Sequence, residues 1–237
     1  MSRTGPLMTE PTLNARIDGI FLGSVAERWP GRPPSAIGKT AVGGCREINE
    51  FGFIGDAQAD LDHHGGHDKA IHHYPSDHYP SWIAEGQIPA EAVPAAFGEN
   101  IVSVGITETN ICIGDRLRLG TAIVEVSQGR QPCWKVSEHT GNAKMAYLFQ
   151  KTGRTGWYYR VLEPGQVSPG DQISLIERHH PEWTVETVTR ARLTRRITSK
   201  DAAALAELVV LAEGWRSAFA RMAAGETHED TDARLIG

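Results

Sequence analysis

Between residues 121 and 127 apolar and polar side chains alternate, with Ala122, Val124 and Val126 on one side. This is the two-residue period of a strand. Gly129 and Pro132 then break the ladder, since proline has no N–H to give and glycine tolerates unusual dihedrals. The same period recurs in short runs. Residues 16–25 predict a first strand with a glycine bend, 45–53 a short strand, and N-I-V-S-V at 100–104 another. Two similar stretches, I-G-D-R-L-R-L at 113–119 and P-G-D-Q-I-S-L at 169–175, each read as a Gly-Asp turn opening a strand. We read them as turn chemistry used twice, not as a duplication. Helical spacing is rarer. It predicts a short, proline-interrupted helix over 76–86 and one over 138–151, with Met145, Leu148 and Phe149 on one face.

After R-H-H-P-E-W at 178–183 the pattern changes. Residues 184–224 lack proline and predict three short helices. In the second, Leu205, Leu208, Val209 and Ala212 fall at i, i+3, i+4 and i+7. In the third, Trp215, Ala218, Phe219 and Met222 repeat that spacing. The expected fold class is mainly β, a barrel-like domain with a few short helices plus a small C-terminal α-helical segment. The expected divisions are a loosely ordered N-terminus over 1–15, the β-rich domain over 16–178 and three helices over 184–230.

Composition narrows the function classes. The 237 residues are 40% hydrophobic and 22% charged, as in an ordinary globular protein. The net charge of −5 argues against a nucleic-acid binder. Cys45, Cys112 and Cys133 are far apart and form no C-x-x-C pair, which fits neither a disulfide framework nor a zinc knuckle. No apolar run approaches the roughly 18 residues that span a membrane, and the N-terminus shows no signal-peptide pattern. A cytoplasmic location without membrane attachment is expected.

Candidate chemistry centres on V-S-Q-G-R-Q-P-C-W-K-V at 126–136, where Cys133 follows a strand end between Arg130 and Lys135. Nearby positive charge favours a thiolate, the nucleophilic and metal-ligating form. A buried structural cysteine is the alternative. Residues 55–74 carry His63, His64, His67, His72 and His73 of the chain's ten histidines. Their spacing suggests a zinc site or a polar turn before a strand. His72 and His73, adjacent on that strand, cannot both face one pocket. The Gly65-Gly66 turn brings His64, Asp68 and Lys69 close together. Glu99 and Asn100 stand at the entrance of a strand. T-G-R-T-G-W-Y-Y-R-V at 152–161 reads equally as an anion-holding loop, using glycine N–H groups with Arg154 and Arg160, or as a turn into an aromatic core strand. Arg190, Arg192, Arg195 and Arg196 give the first C-terminal helix a basic face, solvated or suited to docking an acidic redox partner.

Taken together, G-D-x-Q-A-D-L (55–61), H-G-G-x-D-K-A (64–70), F-G-E-N (97–100), Q-x-R-Q-P-C-W-K (128–135) and T-G-R-T-G-W-Y-Y-R-V-L (152–162) resemble the MOSC domain, specifically its YiiM-like branch. The tail resembles the three-helix segment that follows the domain there. Gly129 departs from that pattern, where the family usually has proline, and His63 and His67 look local to this chain.

The resemblance implies a barrel-like fold that binds the molybdenum cofactor, with Cys133 as the protein's thiolate ligand to the metal. Arg130, Lys135, Arg154 and Arg160 are then candidates to hold the anionic cofactor. Lys69 and Asn100, with His64 and Asp68, would line the substrate side. The implied activity is reduction of N-hydroxylated compounds such as hydroxylaminopurine-type base analogues, a detoxification. His64, paired with Asp68, would protonate the departing group. With too few cysteines for an iron–sulfur cluster and no dinucleotide fingerprint, a separate electron-donating reductase is expected. A dimer is compatible with this reading. Rival readings are persulfide sulfur transfer through Cys133, a non-enzymatic cofactor carrier, and a zinc site on the histidine turn.

Overall fold

The computed structural model describes residues 13–59, 65–226 and 228–236. In chain order the strands are β1 (Asn14–Arg16), β2 (Gly19–Gly23), β3 (Lys39–Val42), β4 (Arg46–Asn49), β5 (Gly52–Phe53), β6 (Ile71–Pro75), β7 (Ile101–Ser103), β8 (Arg116–Leu119), β9 (Ala122–Gly129), β10 (Trp157–Glu163), β11 (Gly165–Val167) and β12 (Gln172–Glu177). The helices are α1 (His78–Ala84), α2 (Trp134–Thr140), α3 (Met145–Thr152), α4 (Val185–Thr194), α5 (Ser199–Glu207), α6 (Glu213–Ala223) and α7 (Asp232–Leu235). The expected mainly β class is what the structure shows. One nine-stranded sheet runs β1-β12-β8-β9-β10-β6-β7-β2-β3 and curls into a half-barrel, and β11-β4-β5 form a small second sheet.

β9 lies inside the large sheet between β8 and β10, and every one of its residues is buried. The alternation read from its sequence therefore marks two buried faces rather than one. Its polar positions are satisfied internally, as where Glu125 pairs with Arg116 and Arg160. The register against β10 runs Tyr158↔Gln128 and then Tyr159↔Val126, so Ser127 is an extra residue, a β-bulge. Bulges bend a strand and re-aim its neighbours, often beside functional sites. Ser127 Oγ donates to the Asp68 carbonyl at 2.6 Å and ties the 67–69 turn to this strand.

Three expectations are corrected. Residues 14–15, expected to be loosely ordered, belong to β1 and pair with Ser174 and Ile173 of β12. The single helix over 138–151 is two helices, because Gly141 adopts φ 68° and ends α2. The helical period through Leu208, Val209 and Ala212 is not a helix, since α5 ends at Glu207 and Val209 is 77% exposed. The Ala212 N–H leaves instead to bond the Ser127 carbonyl at 2.9 Å.

The main apolar core joins sheet and tail. Leu117, Val124 and Trp157 of the sheet share one buried cluster with Val185, Val188, Leu205, Trp215 and Phe219 of the C-terminal helices. A second cluster packs Tyr74, Trp82 and Phe97 against Val136 and Phe149 of α2 and α3.

Candidate functional site at Cys133

The ladder of β9 ends where Gly129 pairs with Trp157, and α2 begins at Trp134. The loop between them, 130–133, carries the candidate chemistry. The Arg130 N–H donates to the Gly156 carbonyl at 3.1 Å. Its buried guanidinium gives Nη1 to the Phe97 carbonyl at 2.6 Å and lies 5.6 Å from the Phe149 ring centroid. Cys133 is extended at φ −131°, ψ 167° and occupies the cap position of α2. The Val136 N–H closes the first turn onto its carbonyl at 3.1 Å.

Cys133 stands where two cavities meet. The narrower, of about 90 Å³, is lined by Lys39, Asp56, Lys69, His72, Asn100, Arg130, Cys133, Lys135 and Tyr158, among others. The wider cleft, of about 870 Å³, shares Lys69, Cys133, Lys135 and Tyr158 with it. Pro33 and Pro34 line the cleft, as do the turn from Gly65 to Asp68, Trp134, and Ala212, Trp215 and Arg234 from the C-terminal part of the chain.

A connected polar network forms one side of the narrow cavity. Lys39 Nζ lies 2.6 Å from Asp56, whose other partners are the Gly23 N–H at 2.7 Å and Asn100 Nδ2 at 2.8 Å. Asn100 Oδ1 accepts the His72 N–H at 3.1 Å. Burial depresses the Lys39 pKa, and the Asp56 carboxylate opposes that shift. Burial, and then the Arg130 charge, hold the His72 imidazole well below its ordinary pKa, so it is neutral at pH 7. The Tyr158 phenol is pushed up by burial. It therefore enters the site as an O–H donor.

Of the residues singled out from sequence, Cys133, Arg130, Lys135, Lys69 and Asn100 converge on the narrow cavity. Asp68 lines the cleft, and its carboxylate receives Arg160 Nε at 2.9 Å. Arg160 also donates to Glu125 at 2.7 Å and to the Val210 carbonyl at 3.0 Å. Arg154 bonds Glu85 at 2.8 Å and lies 3.6 Å from the Trp82 ring centroid. Neither Arg154 nor Arg160 is among the side chains lining these two cavities. The backbone donors of the T-G-R-T-G loop are already engaged, since the Thr155 and Gly156 N–H groups donate to Glu108 Oε1 at 3.0 and 2.7 Å.

His64 and His63 lie outside the described residues. The His67 ring lies against Phe51 in a tilted arrangement, 4.7 Å between centroids. His72 and His73 face opposite sides of the sheet, as alternation requires: His72 lines the cavity, while His73 bonds Tyr159 and Ser103, each at 2.9 Å. Among the described residues no three His, Cys, Asp or Glu side chains are grouped to hold a metal ion. Sequence reasoning missed Lys39, Asp56 and Tyr158. Asp56 and Tyr158 sit inside motifs that were noticed. Lys39 carried no local signal, because only the folded sheet places it beside Asp56.

These features define a class: a curled β half-barrel whose cysteine-bearing loop opens at the seam with a helical C-terminal segment. A model of the MOSC domain matches residues 60–174. Protein YiiM of Escherichia coli (strain K12) is 42% identical over 160 residues, 67% of this chain and 71% of that protein. The crystal structure of YiiM from Escherichia coli matches with a TM-score of 0.77 at 31% identity, covering 94% of this chain and 99% of that one. A longer protein of Gibberella moniliformis (strain M3125 / FGSC 7600), named a reductase, is 38% identical over 170 residues, 71% of this chain and 30% of its own length. The chain belongs to the MOSC-domain family and is homologous to YiiM, as its motifs implied.

Proposed function

We propose that this protein binds the molybdenum cofactor through Cys133 and reduces N-hydroxylated compounds. The observation that carries this reading is the position of Cys133, at the mouth of a cation-lined cavity that opens into a cleft of ligand-binding size. The donor set suits the group. A soft thiolate matches a metal held by dithiolene sulfurs. Lys39, Lys69, Arg130 and Lys135 surround the narrow cavity with positive charge, against the Asp56 carboxylate. Arg130 is buried, and its hydrogen bonds among the described residues go to carbonyls rather than to a carboxylate, so its charge remains available to an anion.

Reduction of N–OH to N–H takes up two electrons and two protons and releases water. The cofactor, when bound, supplies the two-electron chemistry. Cys133 would ligate the metal, and Arg130, Lys135 and Lys39 would neutralise the anionic dithiolene and phosphate. Asn100 fixes Asp56, which orients Lys39. His64, immediately before the cleft-lining Gly65 in the sequence, would deliver a proton to the departing oxygen. Electrons arrive from a separate reductase. We place the protein in the cytoplasm; no described helix is long and apolar enough to cross a membrane.

The test is elemental analysis of protein from a host that makes the cofactor, wild type beside Cys133→Ser, followed by turnover of an N-hydroxylated purine with a low-potential dye as donor. We expect near-stoichiometric molybdenum in the wild type. In the variant we expect metal loss and an activity drop of at least about 100-fold, with the fold intact. Molybdenum without turnover would make the protein a carrier. A releasable sulfane sulfur on Cys133 without molybdenum would make it a sulfur-transfer protein. Metal retained in the variant would remove Cys133 as the ligand.

A further inference from the structure

The loop that carries Cys133 receives its last ladder partner at Gly129 and joins helix only at Trp134, so Gln131 and Pro132 lie outside both elements. Backbone and amide groups in such a gap need partners from elsewhere. They come from the far end of the chain. Arg234, in α7, donates Nη1 to the Pro132 carbonyl at 2.5 Å and Nη2 to Gln150 Oε1 at 2.8 Å. With the Gln131 amide oriented by its hydrogen bonds, its oxygen accepts Arg234 Nε at 3.2 Å and Arg192 Nη2 at 3.1 Å.

Arg192 is buried in α4 and holds Glu229 through Nη2 at 2.9 Å; Arg195 adds a contact at 3.3 Å. Arg192 beside Glu229 holds that carboxyl below the usual range, so the clamp is ionic at neutral pH. Leu235 packs on the cluster containing Val136 of α2 and Phe149 of α3. The segment is thus anchored upstream by Glu229 and downstream by Leu235, with Arg234 gripping the two residues that precede the thiol.

We infer that the C-terminal segment 228–236 sets the position of the Cys133 loop, with Arg234 as the positioning residue. The geometric claim stands without a metal; only its consequence for turnover rests on the function proposed above. Loss of Arg234 frees the loop to move away from the cavity mouth and exposes the thiol.

The test uses full-length protein from a host that cannot make the cofactor. Cys45, exposed on the opposite part of the sequence, is the internal reference. Both thiols are alkylated with N-ethylmaleimide at one pH, and the Cys133:Cys45 labelling ratio is read by peptide mass spectrometry. Arg234→Met is expected to raise the ratio about tenfold. Glu229→Gln, which weakens the upstream anchor, is expected to raise it in the same direction. Arg234→Lys keeps the charge and one donor to Pro132, and is expected to return the ratio to within about twofold of wild type. A segment that merely adds stability would lower Tm and leave the ratio unchanged. That result in both Arg234→Met and Glu229→Gln would overturn the inference, while the molybdenum content of the loaded wild type separately decides the proposed function.

Discussion

At Gly129 space, rather than backbone conformation, decides the residue. A Cβ built there would lie 1.9 Å from Thr189 Oγ1 and 3.1 Å from the Trp215 ring. A proline, the residue the family resemblance led us to expect there, would collide with both α4 and α6, so the close packing of these helices onto β9 excludes it. Gly129→Ala is expected to cost about 1–3 kcal/mol of unfolding free energy, read as a lower urea midpoint. Thr189 Oγ1 is itself buried, with no hydrogen-bond partner among the described residues. Thr189→Ala therefore removes little that is favourable and also makes room. The double variant Gly129→Ala/Thr189→Ala is expected to recover at least about 1 kcal/mol relative to the sum of the singles. Strict additivity would show that the clash is relieved elsewhere. The sequence marked Gly129 as a departure from the family pattern. It could not supply the reason, because Thr189 is adjacent to it only after the tail has docked.

At the scale of elements, local periodicity located strands and helices well and failed where a distant partner intervened. The alternation at 121–127 falls on β9 from Ala122 onward, and the apolar spacing of Trp215, Ala218, Phe219 and Met222 is the buried face of α6. The same kind of spacing continued through Leu208 and Ala212, yet Leu208 turns to ψ 94° and the Ala212 N–H goes to Ser127 on β9. Tertiary hydrogen bonding there outweighs helix propensity. The T-G-R-T-G loop was legible as a collection of donors aimed at an anion. The anion is internal: Glu108 takes Thr155, Gly156 and also His78, whose Nε2 is 2.7 Å away. Glu108→Leu removes that acceptor set and leaves the two loop N–H groups buried without it. The expected loss is about 2–4 kcal/mol, with little change in metal or anion binding at Cys133. An unchanged urea midpoint would mean that solvent satisfies the loop.

For the whole molecule, composition and pattern named the two parts but not their relation. The sheet and the C-terminal helices share one apolar core, and the cleft at Cys133 has walls from both. Neither fact has a signature in a local window, because each depends on contacts between distant segments. The large buried interior also sets how the fold answers acid. His73, fully buried between Tyr159 and Ser103, has its pKa pushed down to about 3 by burial. His72 is shifted in the same direction. Between the ordinary imidazole value near 6.5 and these depressed values, the unfolded chain binds protons that the folded chain refuses. Stability is therefore complete above about pH 6.5 and falls as the pH drops below it. From pH 7.5 to 5.0, His73 alone is expected to remove about 2 kcal/mol. Depressed carboxylates such as Glu229 add their share only at lower pH, nearer the ordinary carboxylate range, which leaves this window to the imidazoles. Burial lowers the His139 imidazole as well, with the Arg28 charge adding to it. The slope of urea unfolding is expected to be near zero at pH 7.5 and to rise toward about one proton per depressed imidazole by pH 5.0, lower by about one in His73→Gln. A stability that stayed flat from pH 7.5 to 5.0 would mean that these imidazoles charge within the native fold.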